Sequence, residues 1–297
     1  MRILVTGNKG FIGQHIESML LADGHDVRGC DRKNNVYEDL LQYKTTMYWI
    51  YLTKFNPDVI IHLAGSPRIQ RAIADPVNTF DDNVVGTRNI LEFARVVKPK
   101  LFIYAGSSSS KGMPQNPYSW QKKMGEMLCR SYEQTYGVRT CCVNFHNVFH
   151  EEQLGDDMHT STLIGIWRKR AMQNKPLMIY GDGTQRRDFT HIIDVYNALK
   201  VLIDTSIEKN IKWHTTLDIG NGVNYSVNEL KDIILTADPT IEFKYDHGKT
   251  GEQNVTLADI SALLSLGWKP KVNVPQSIIK AFKNVKSWHK KIQKETL

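Results

Sequence analysis

The sequence has few cysteines and no long apolar run. Only four of its 297 residues are cysteines, and their uneven spacing fits neither a disulfide framework nor a zinc site. No apolar stretch approaches the ~18–20 residues that span a bilayer, so we predict no membrane partner. The first residues do not resemble a signal peptide, because glycines and a lysine closely follow their short apolar stretch. These features predict a cytoplasmic protein in a reducing compartment.

Acidic residues are outnumbered, although only modestly. The chain has 38 basic and 31 acidic residues, a net charge of +7, and such a balance attracts polynucleotides or small phosphorylated ligands. Lysines near the C-terminus recur at helical spacing beside Ile279, Phe282, Val285 and Trp288. This pattern is typical of an amphipathic helix with a solvated face. Because no nucleic-acid recognition motif accompanies it, we predict no nucleic-acid partner.

Short apolar runs alternate with amphipathic stretches through the first two-thirds of the chain. Such alternation predicts a parallel sheet with right-handed crossovers, covered by helices on both faces. The predicted strands span residues 2–5, 26–30, 59–63, 101–105 and 140–145. The predicted helices span residues 11–22, 77–97 and 118–136.

A glycine-rich segment joins the first predicted strand to the first helix. Gly7 permits a tight turn, Gly10 lets a pyrophosphate approach the backbone, and Gly13 lets the helix pack closely on the strand. Free amide groups at the start of the helix then hold the phosphates. Asp31 ends the second strand, where a carboxylate accepts hydrogen bonds from ribose hydroxyls and favours NAD. The adjacent Arg32 could instead hold the additional phosphate of NADP.

A tyrosine and a lysine lie four residues apart, and therefore on one face of a predicted helix. A phenol has a pKa of ~10 and is a poor acid in water. The Lys122 ammonium and a positive nicotinamide would favour the phenolate of Tyr118 and make it a usable base. A serine-rich stretch, residues 107–110, ends the preceding strand. A serine hydroxyl there can hydrogen-bond the same substrate oxygen.

These motifs together resemble the extended short-chain dehydrogenase/reductase family, specifically its NAD-dependent nucleotide-sugar epimerases and dehydratases. The likeness covers nearly the whole chain, from TGNKGFIG through IIHLAG to LGWKP. It implies a Rossmann-type doubly wound parallel sheet with a smaller C-terminal α/β lobe. Residues 1–150 would form the NAD-binding domain, with 188–218 returning to it. Residues 151–297 would mainly form the lobe that binds the nucleotide sugar.

The resemblance also implies roles for individual residues. Catalysis falls to Ser107, Tyr118 and Lys122. Besides Tyr118 and Lys122, the residues implied to bind the cofactor are Gly7, Lys9, Gly10, Phe11, Ile12, Gly13, Asp31, Arg32, Asp39, Leu40, Leu63, Ala64, Gly65, Asn83 and Phe145. Those implied to bind the nucleotide-diphosphate sugar are Ser108, Asn147, Tyr180, Arg187 and Lys249. A homodimer through helices 77–97 and 118–136 is also implied.

Departures from the family pattern narrow the predicted activity. Ser108 and Ser109 stand where many relatives have an acidic pair, so we expect neither water elimination nor decarboxylation. Asn144 and Lys249 replace arginines, and the segment 111–116 is short, with Lys111 in place of a tyrosine.

The sequence therefore predicts an NAD-dependent nucleotide-sugar epimerase, acting at C4 through a transient 4-keto sugar. Two alternatives stay open: a 4-keto-sugar reductase that uses NADH or NADPH, and a dinucleotide-binding regulatory protein without turnover. We predict no metal, because the spacing of His146, His150 and His159 fits no tight ligand set.

Overall fold

The computed structural model describes residues 1–42, 44, 54–155, 162–213 and 215–285. His159 and Trp288 lie outside these residues. The strands are β1 (Arg2–Thr6), β2 (Asp26–Cys30), β3 (Val59–His62), β4 (Leu101–Ser107), β5 (Thr140–Phe145), β6 (Val148–Phe149), β7 (Leu177–Tyr180), β8 (Arg186–Asp188), β9 (Thr190–His191), β10 (Leu217–Ile219), β11 (Asn224–Ser226) and β12 (Phe243–Asp246). The α-helices are α1 (Phe11–Ala22), α2 (Ile69–Ala74), α3 (Pro76–Phe80), α4 (Gly86–Val97), α5 (Pro117–Tyr136), α6 (Leu163–Met172), α7 (Ile192–Glu208), α8 (Val227–Ala237), α9 (Ser261–Ser265) and α10 (Val274–Phe282).

Six strands form one parallel sheet in the order β10-β5-β4-β3-β1-β2. The five predicted strands and the predicted helices are confirmed, apart from a π-helical turn that divides the helix predicted over 77–97. The strand order reverses between β1 and β3. The chain therefore leaves these two strands in opposite directions, and a crevice opens at their carboxyl ends. The predicted doubly wound fold is confirmed.

The two faces of this sheet carry separate apolar layers, because successive strand residues point in opposite directions. Ile3 and Val5 face α1 and α7, whereas Leu4 faces α4 and α5. Cys141 and Cys142 divide between the layers in the same way. The near-continuous apolar strands thus follow from helices covering both faces.

A separate core lies in the later part of the chain. Trp167 of α6, Ile179 of β7, Leu230 of α8 and Ile278 of α10 are buried together. Beside it are three two-stranded pairs, β11-β8, β12-β7 and β6-β9. Strand β10 meanwhile belongs to the six-stranded sheet, and α7 packs on that sheet. The division into lobes 1–150 and 151–297, with 188–218 returning, stays a prediction.

Among the residues that the structure describes, no helix combines the length and the apolar character needed to cross a bilayer.

Candidate active site

The glycine loop before α1 packs too closely on its neighbours to accommodate side chains at two positions. Gly7 has a φ of 75°, and a Cβ there would lie 2.7 Å from the Ala64 nitrogen. A Cβ on Gly13 would lie 2.1 Å from the Gly7 carbonyl oxygen. Glycine is therefore required at both positions by close backbone approach.

The start of α1 is suited to an anion. Its N-cap, Gly10, has no side chain to cap the helix, so the first amide groups of α1 are left for a ligand. Lys9, Gly10 and Phe11 line a pocket of about 380 Å³ there, together with Lys33, His150 and residues 152–154. Ile12 and Gly13 continue the first turn. These residues fit the pyrophosphate of a dinucleotide.

The acidic end of β2 also fits the predicted ribose site. The Asp31 carboxylate accepts hydrogen bonds from the backbone nitrogens of Lys9 (3.2 Å) and Lys33 (2.9 Å). Arg32 pairs with the buried carboxylate of Asp82. Its guanidinium is therefore engaged, which disfavours its use for a 2′-phosphate.

The loop that follows β3 lies against a π-helical turn. In this turn, residues 81–85, the chain directs Asp82 and Asn83 inward. Asn83 Oδ1 accepts the Ser66 backbone N–H at 2.9 Å, while its Nδ2 donates to the Ser66 carbonyl and to Gln121 Oε1 (2.8 Å). A regular helix was expected over 77–97. The extra residue of the π turn lets adjacent polar side chains reach the same loop.

The remaining residues predicted at the cofactor site lie in three separate segments. Leu63, Ala64 and Gly65 follow β3, and a Cβ on Gly65 would lie 2.5 Å from Asn83 Oδ1. Leu40 is buried, and its carbonyl accepts a 2.7 Å hydrogen bond from Asn89 of α4. Further predicted residues are Asp39, which precedes Leu40, and Phe145, which is buried at the end of β5.

The structure brings Ser107, Tyr118 and Lys122 together. Ser107 ends β4, and its hydroxyl hydrogen-bonds the Ser109 hydroxyl at 2.9 Å and lies near enough to the Tyr118 phenol to influence its pKa. Lys122 lies one turn after Tyr118 on α5, and its Nζ donates to the Ala105 carbonyl at 3.0 Å. The base candidate, its hydroxyl partner and the ammonium thus lie at the carboxyl end of β4.

Burial has the largest effect on the pKa values of Tyr118 and Lys122. It raises the pKa of Tyr118, an effect that the nearby Ser107 hydroxyl and the Arg68 charge oppose. The sequence predicted a phenolate favoured by Lys122 together with the positive nicotinamide, and this stays a prediction. Burial also lowers the pKa of Lys122 to about 8.

The predicted substrate residues lie on separate elements. Ser108 begins the short 3₁₀ turn after β4. Lys249 lies 3.8 Å above the centre of the Tyr180 ring. Arg187 Nη1 donates to the Asn254 carbonyl at 3.2 Å, and Asn147 Nδ2 donates to the Asp188 carbonyl at 2.9 Å.

One cluster has the composition of a metal site. His150, Glu151 and His191 place their ligand atoms within 4.8 Å of one another. In both histidines, however, Nδ1 accepts a backbone N–H, from Glu152 at 3.1 Å and from Ile193 at 3.3 Å. In the neutral rings the proton is then on Nε2, which faces Glu151. A metal bound at Nε2 would force the proton onto Nδ1 against another donor, so the surroundings favour hydrogen bonding.

Several residues of the site were missed from the sequence. Ser66, Asp82 and Gln121 join the loop after β3 to the π turn and to α5. Arg68, at a φ of 97°, places its charge near Tyr118. Asp82 precedes the predicted Asn83, and Gln121 precedes the predicted Lys122. This proximity in sequence was the one signal that could have found them.

Comparison with known proteins agrees with this geometry. A model of the NAD dependent epimerase/dehydratase family matches residues 3–214. The chain belongs to this family. The predicted resemblance is thereby confirmed, and the glycine loop and the Ser107–Tyr118–Lys122 group of this family member both fall within the matched residues.

Relatives resemble the chain along most of its length. A UDP-glucuronate 4-epimerase of Thermodesulfobacterium geofontis is 28% identical, over 97% of this chain and 95% of the relative. A UDP-glucose 4-epimerase of Mycolicibacterium smegmatis is 28% identical, over 94% and 97%. The crystal structure of UDP-glucuronic acid 4-epimerase from Bacillus cereus, in complex with UDP-glucuronic acid and NAD, superposes with a TM-score of 0.80. The two sequences are 25% identical, and the match covers 97% of this chain and all of the other.

The buried Lys122 ammonium predicts a pH-dependent stability effect. Its pKa is lower in the folded protein, about 8, than the ordinary 10.5. The buried ammonium therefore lowers the free energy of unfolding. This effect is complete below pH 8 and decreases between pH 8 and 10.5. Lys122→Met should stabilise the cofactor-free protein by ~1–2 kcal/mol at pH 7, since it removes this charge at the cost of one hydrogen bond. The gain should shrink by pH 10.

Urea unfolding at pH 7 and pH 10 measures this difference. The control is Lys123→Met on the same helix, where the lysine is more exposed and pairs with Glu126 at 3.2 Å. This variant should change the free energy of unfolding by less than ~1 kcal/mol at either pH. A Lys122→Met protein that is less stable than wild type at pH 7 would contradict the expectation.

Proposed function

We propose that this protein is an NAD-dependent nucleotide-sugar 4-epimerase. The observation that carries the proposal is the convergence of Ser107, Tyr118 and Lys122 next to a glycine loop that fits a dinucleotide. Membership of the family supports it, as do relatives named as 4-epimerases. The names of these relatives favour a uridine diphosphate sugar. The absence of an acidic pair at Ser108 and Ser109 fits a reaction without elimination or decarboxylation.

Each residue of the group has a distinct task in this proposal. Tyr118 Oη takes the proton of the sugar C4 hydroxyl, and Ser107 hydrogen-bonds the same oxygen. NAD, when bound, supplies a two-electron acceptor for the hydrogen on C4 and returns it afterwards. Tyr118 returns its proton to the oxygen after the 4-keto sugar has turned over, so there is no net redox change. Lys122 holds the nicotinamide ribose and, as an ammonium, favours the phenolate.

The cofactor residues follow from the same assignment. The amide groups of Gly10, Phe11 and Ile12 would hold the pyrophosphate, and Asp31 would accept from the adenosine ribose. Predicted residues that we retain around the nicotinamide half are Leu63, Ala64, Gly65, Asn83 and Phe145. The predicted cytoplasmic location stays a prediction.

Turnover of UDP-glucose and UDP-glucuronate, followed by product NMR, tests the activity. Wild-type protein should form the 4-epimer without consuming added NADH, whereas a reductase would consume reduced cofactor stoichiometrically. Tyr118→Phe should lower turnover by ~10²–10⁴-fold, because the proton acceptor is lost while the ring is kept. Its NAD affinity and thermal midpoint should match those of wild type. Near-normal turnover in this variant would remove Tyr118 as the base.

Two adjacent arginines differ in their surroundings, and this difference favours Arg187 for the substrate diphosphate. Arg186 is held by Asn224, with Nε to Oδ1 at 2.9 Å, and pairs with Glu229 at 3.0 Å. Arg187 has its nearest carboxylate, on Glu252, at 3.7 Å. A diphosphate can therefore compete for the Arg187 guanidinium, with Lys249 and Tyr180 near the nucleotide.

We expect Arg187→Lys to weaken the binding of UDP by ~1–3 kcal/mol, since lysine cannot make a bidentate contact with phosphate. Titration calorimetry with UDP and with NAD measures both sites, and NAD affinity should hardly change. Arg186→Lys is the matched control and should bind both ligands like wild type. If Arg186→Lys is instead the damaging variant, our placement of the substrate phosphates is wrong.

We also propose a homodimer through the predicted helices. Trp120, Met124 and Met127 are exposed on α5 at i, i+4 and i+7, so they form one apolar stripe. Exposed Val77 and Phe80 lie on α3, which packs against α5. Such a stripe is typical of a surface that associates with another protein.

Light scattering on the purified chain should give twice the monomer mass of 34.0 kDa. Met127→Glu should shift the mass towards the monomer, because it places a charge in the apolar stripe. Met113→Glu is the control, since Met113 is also exposed but lies before α5 and outside the stripe. A monomeric wild-type protein, or a Met127→Glu dimer as stable as wild type, would contradict this proposal.

A further inference from the structure

Polar side chains meet behind Ser107, where β4, β5 and β10 end. Asn144 of β5 is the register partner of both Gly106 of β4 and Asp218 of β10. Asn144 and Asp218 are almost fully buried, at 5% and 6% exposure. A buried carboxylate and a buried amide cost free energy unless their hydrogen bonds are made. Their partners therefore indicate what the cluster holds in place.

Asp218 is bound from three sides. Its Oδ2 accepts from Lys111 Nζ at 2.7 Å and from the Asp259 backbone N–H at 3.0 Å. Its Oδ1 accepts from Asn144 Nδ2 at 3.3 Å. The Asn144 amide thereby has a fixed orientation, with its Oδ1 turned towards β4.

The oriented Asn144 oxygen accepts the backbone N–H of Ser107 at 3.1 Å. This contact requires a glycine at the neighbouring position, because a Cβ on Gly106 would lie 2.6 Å from Asn144 Oδ1. The Ser107 amide is thus held by a side chain that is itself held by Asp218. The Ser107 hydroxyl in turn lies near the Tyr118 phenol and influences its pKa.

Lys111 connects the same carboxylate to the other end of the serine turn. The 3₁₀ turn Ser108–Ser110 follows Ser107, and Lys111 is the C-cap of this turn. Asp218 therefore reaches the turn at its beginning, through Asn144, and at its end, through Lys111. We call Lys111, Asp218 and Asn144 the serine clamp.

We propose that the serine clamp positions Ser107 for proton transfer, with Lys111 and Asp218 as positioning residues that touch neither substrate nor cofactor. The inference rests on the proposed epimerase function. It also gives a task to two residues that no motif of the sequence singled out for catalysis. Positional errors of about 1 Å at a reacting group can cost up to ~10²-fold in rate, so a clamp of this kind has a measurable effect.

The charge of Lys111 matters because Asp218 is buried. Burial by itself would raise the pKa of Asp218, but the nearby His146 ring and the Lys111 hydrogen bond outweigh it and hold the pKa well below its usual range. The carboxylate is therefore ionised at any ordinary assay pH. Lys111 Nζ lies 2.7 Å from Asp218 Oδ2, whereas His146 Nε2 lies 3.6 Å away, so the lysine is the nearer partner. Without it, a buried carboxylate would lose its principal counter-ion.

The test compares Lys111→Met with Lys111→Arg, in the full chain with NAD and UDP-sugar. Lys111→Met should lower kcat by ~5–30-fold, with KM for the sugar within about 3-fold, because binding contacts are kept and only alignment is lost. Lys111→Arg should recover most of kcat, since it restores a cation at the carboxylate. Asp218→Asn should resemble Lys111→Met, and the double variant should lose little more than either single variant.

Lys100→Met is the control for removal of an ion pair. Lys100 pairs with Asp58 at 3.1 Å, at the start of β4 and away from the serine turn. The Lys100→Met variant should leave kcat unchanged. A purely structural brace would lower the thermal midpoint of Lys111→Met while the folded enzyme kept its kcat, and this result would overturn the proposal.

Hydrogen exchange separates this inference from the proposed function. In Lys111→Met, the amides of residues 107–111 should lose protection, whereas those of β1 should not. A wild-type protein without epimerase activity would overturn the proposed function. Unchanged protection at 107–111 would overturn the serine clamp whether or not the enzyme is active.

Discussion

The burial of the Lys122 ammonium is the constraint on which the rest of the site depends. Its Nζ donates to the Ala105 carbonyl, and this bond ties α5 to the end of β4. A buried ammonium is costly without such a partner, so the helix cannot shift along the strand. Tyr118, one turn earlier, is consequently held beside Ser107. The hydrogen bond from Lys122 to the Ala105 carbonyl therefore determines the position of the proposed base.

Two glycines allow the close packing that this arrangement requires. A Cβ on Gly125 would lie 2.1 Å from the Tyr104 hydroxyl, which itself donates to the Lys122 carbonyl at 3.2 Å. A Cβ on Gly65 would collide with Asn83 and would lie 3.6 Å from Lys122 Nζ. Helix α5 can thus lie close to β4 only because residue 125 has no side chain. The loop after β3 can lie close to Asn83 only because residue 65 has none.

Three layers of contacts then hold the reacting group. The π turn fixes the loop after β3, the Lys122 bond fixes α5, and the serine clamp fixes the turn after β4. The π turn lies between β3 and β4, Lys122 lies between β4 and β5, and the serine clamp joins the turn after β4 to β5 and β10. All three meet at the carboxyl edge of the strands. This explains why residues far apart in sequence, such as Ser66, Lys122 and Asp218, serve one site. Arg187 and Lys249, which we propose for the substrate, lie outside the six-stranded sheet.

The sequence by itself determined the parallel sheet, the glycine loop and the Tyr118–Lys122 pair. Apolar runs, glycine spacing and a four-residue helical interval are local patterns, and local backbone geometry fixes their meaning. Only the tertiary structure decided the π turn at 81–85, the raised pKa of Tyr118 and the Lys111–Asp218 pair. The Tyr118 pKa depends on burial, the π turn contacts a residue 16 positions away, and the Lys111–Asp218 pair spans 107 positions. The order of residues along the chain carries no direct record of burial or of such distant partners.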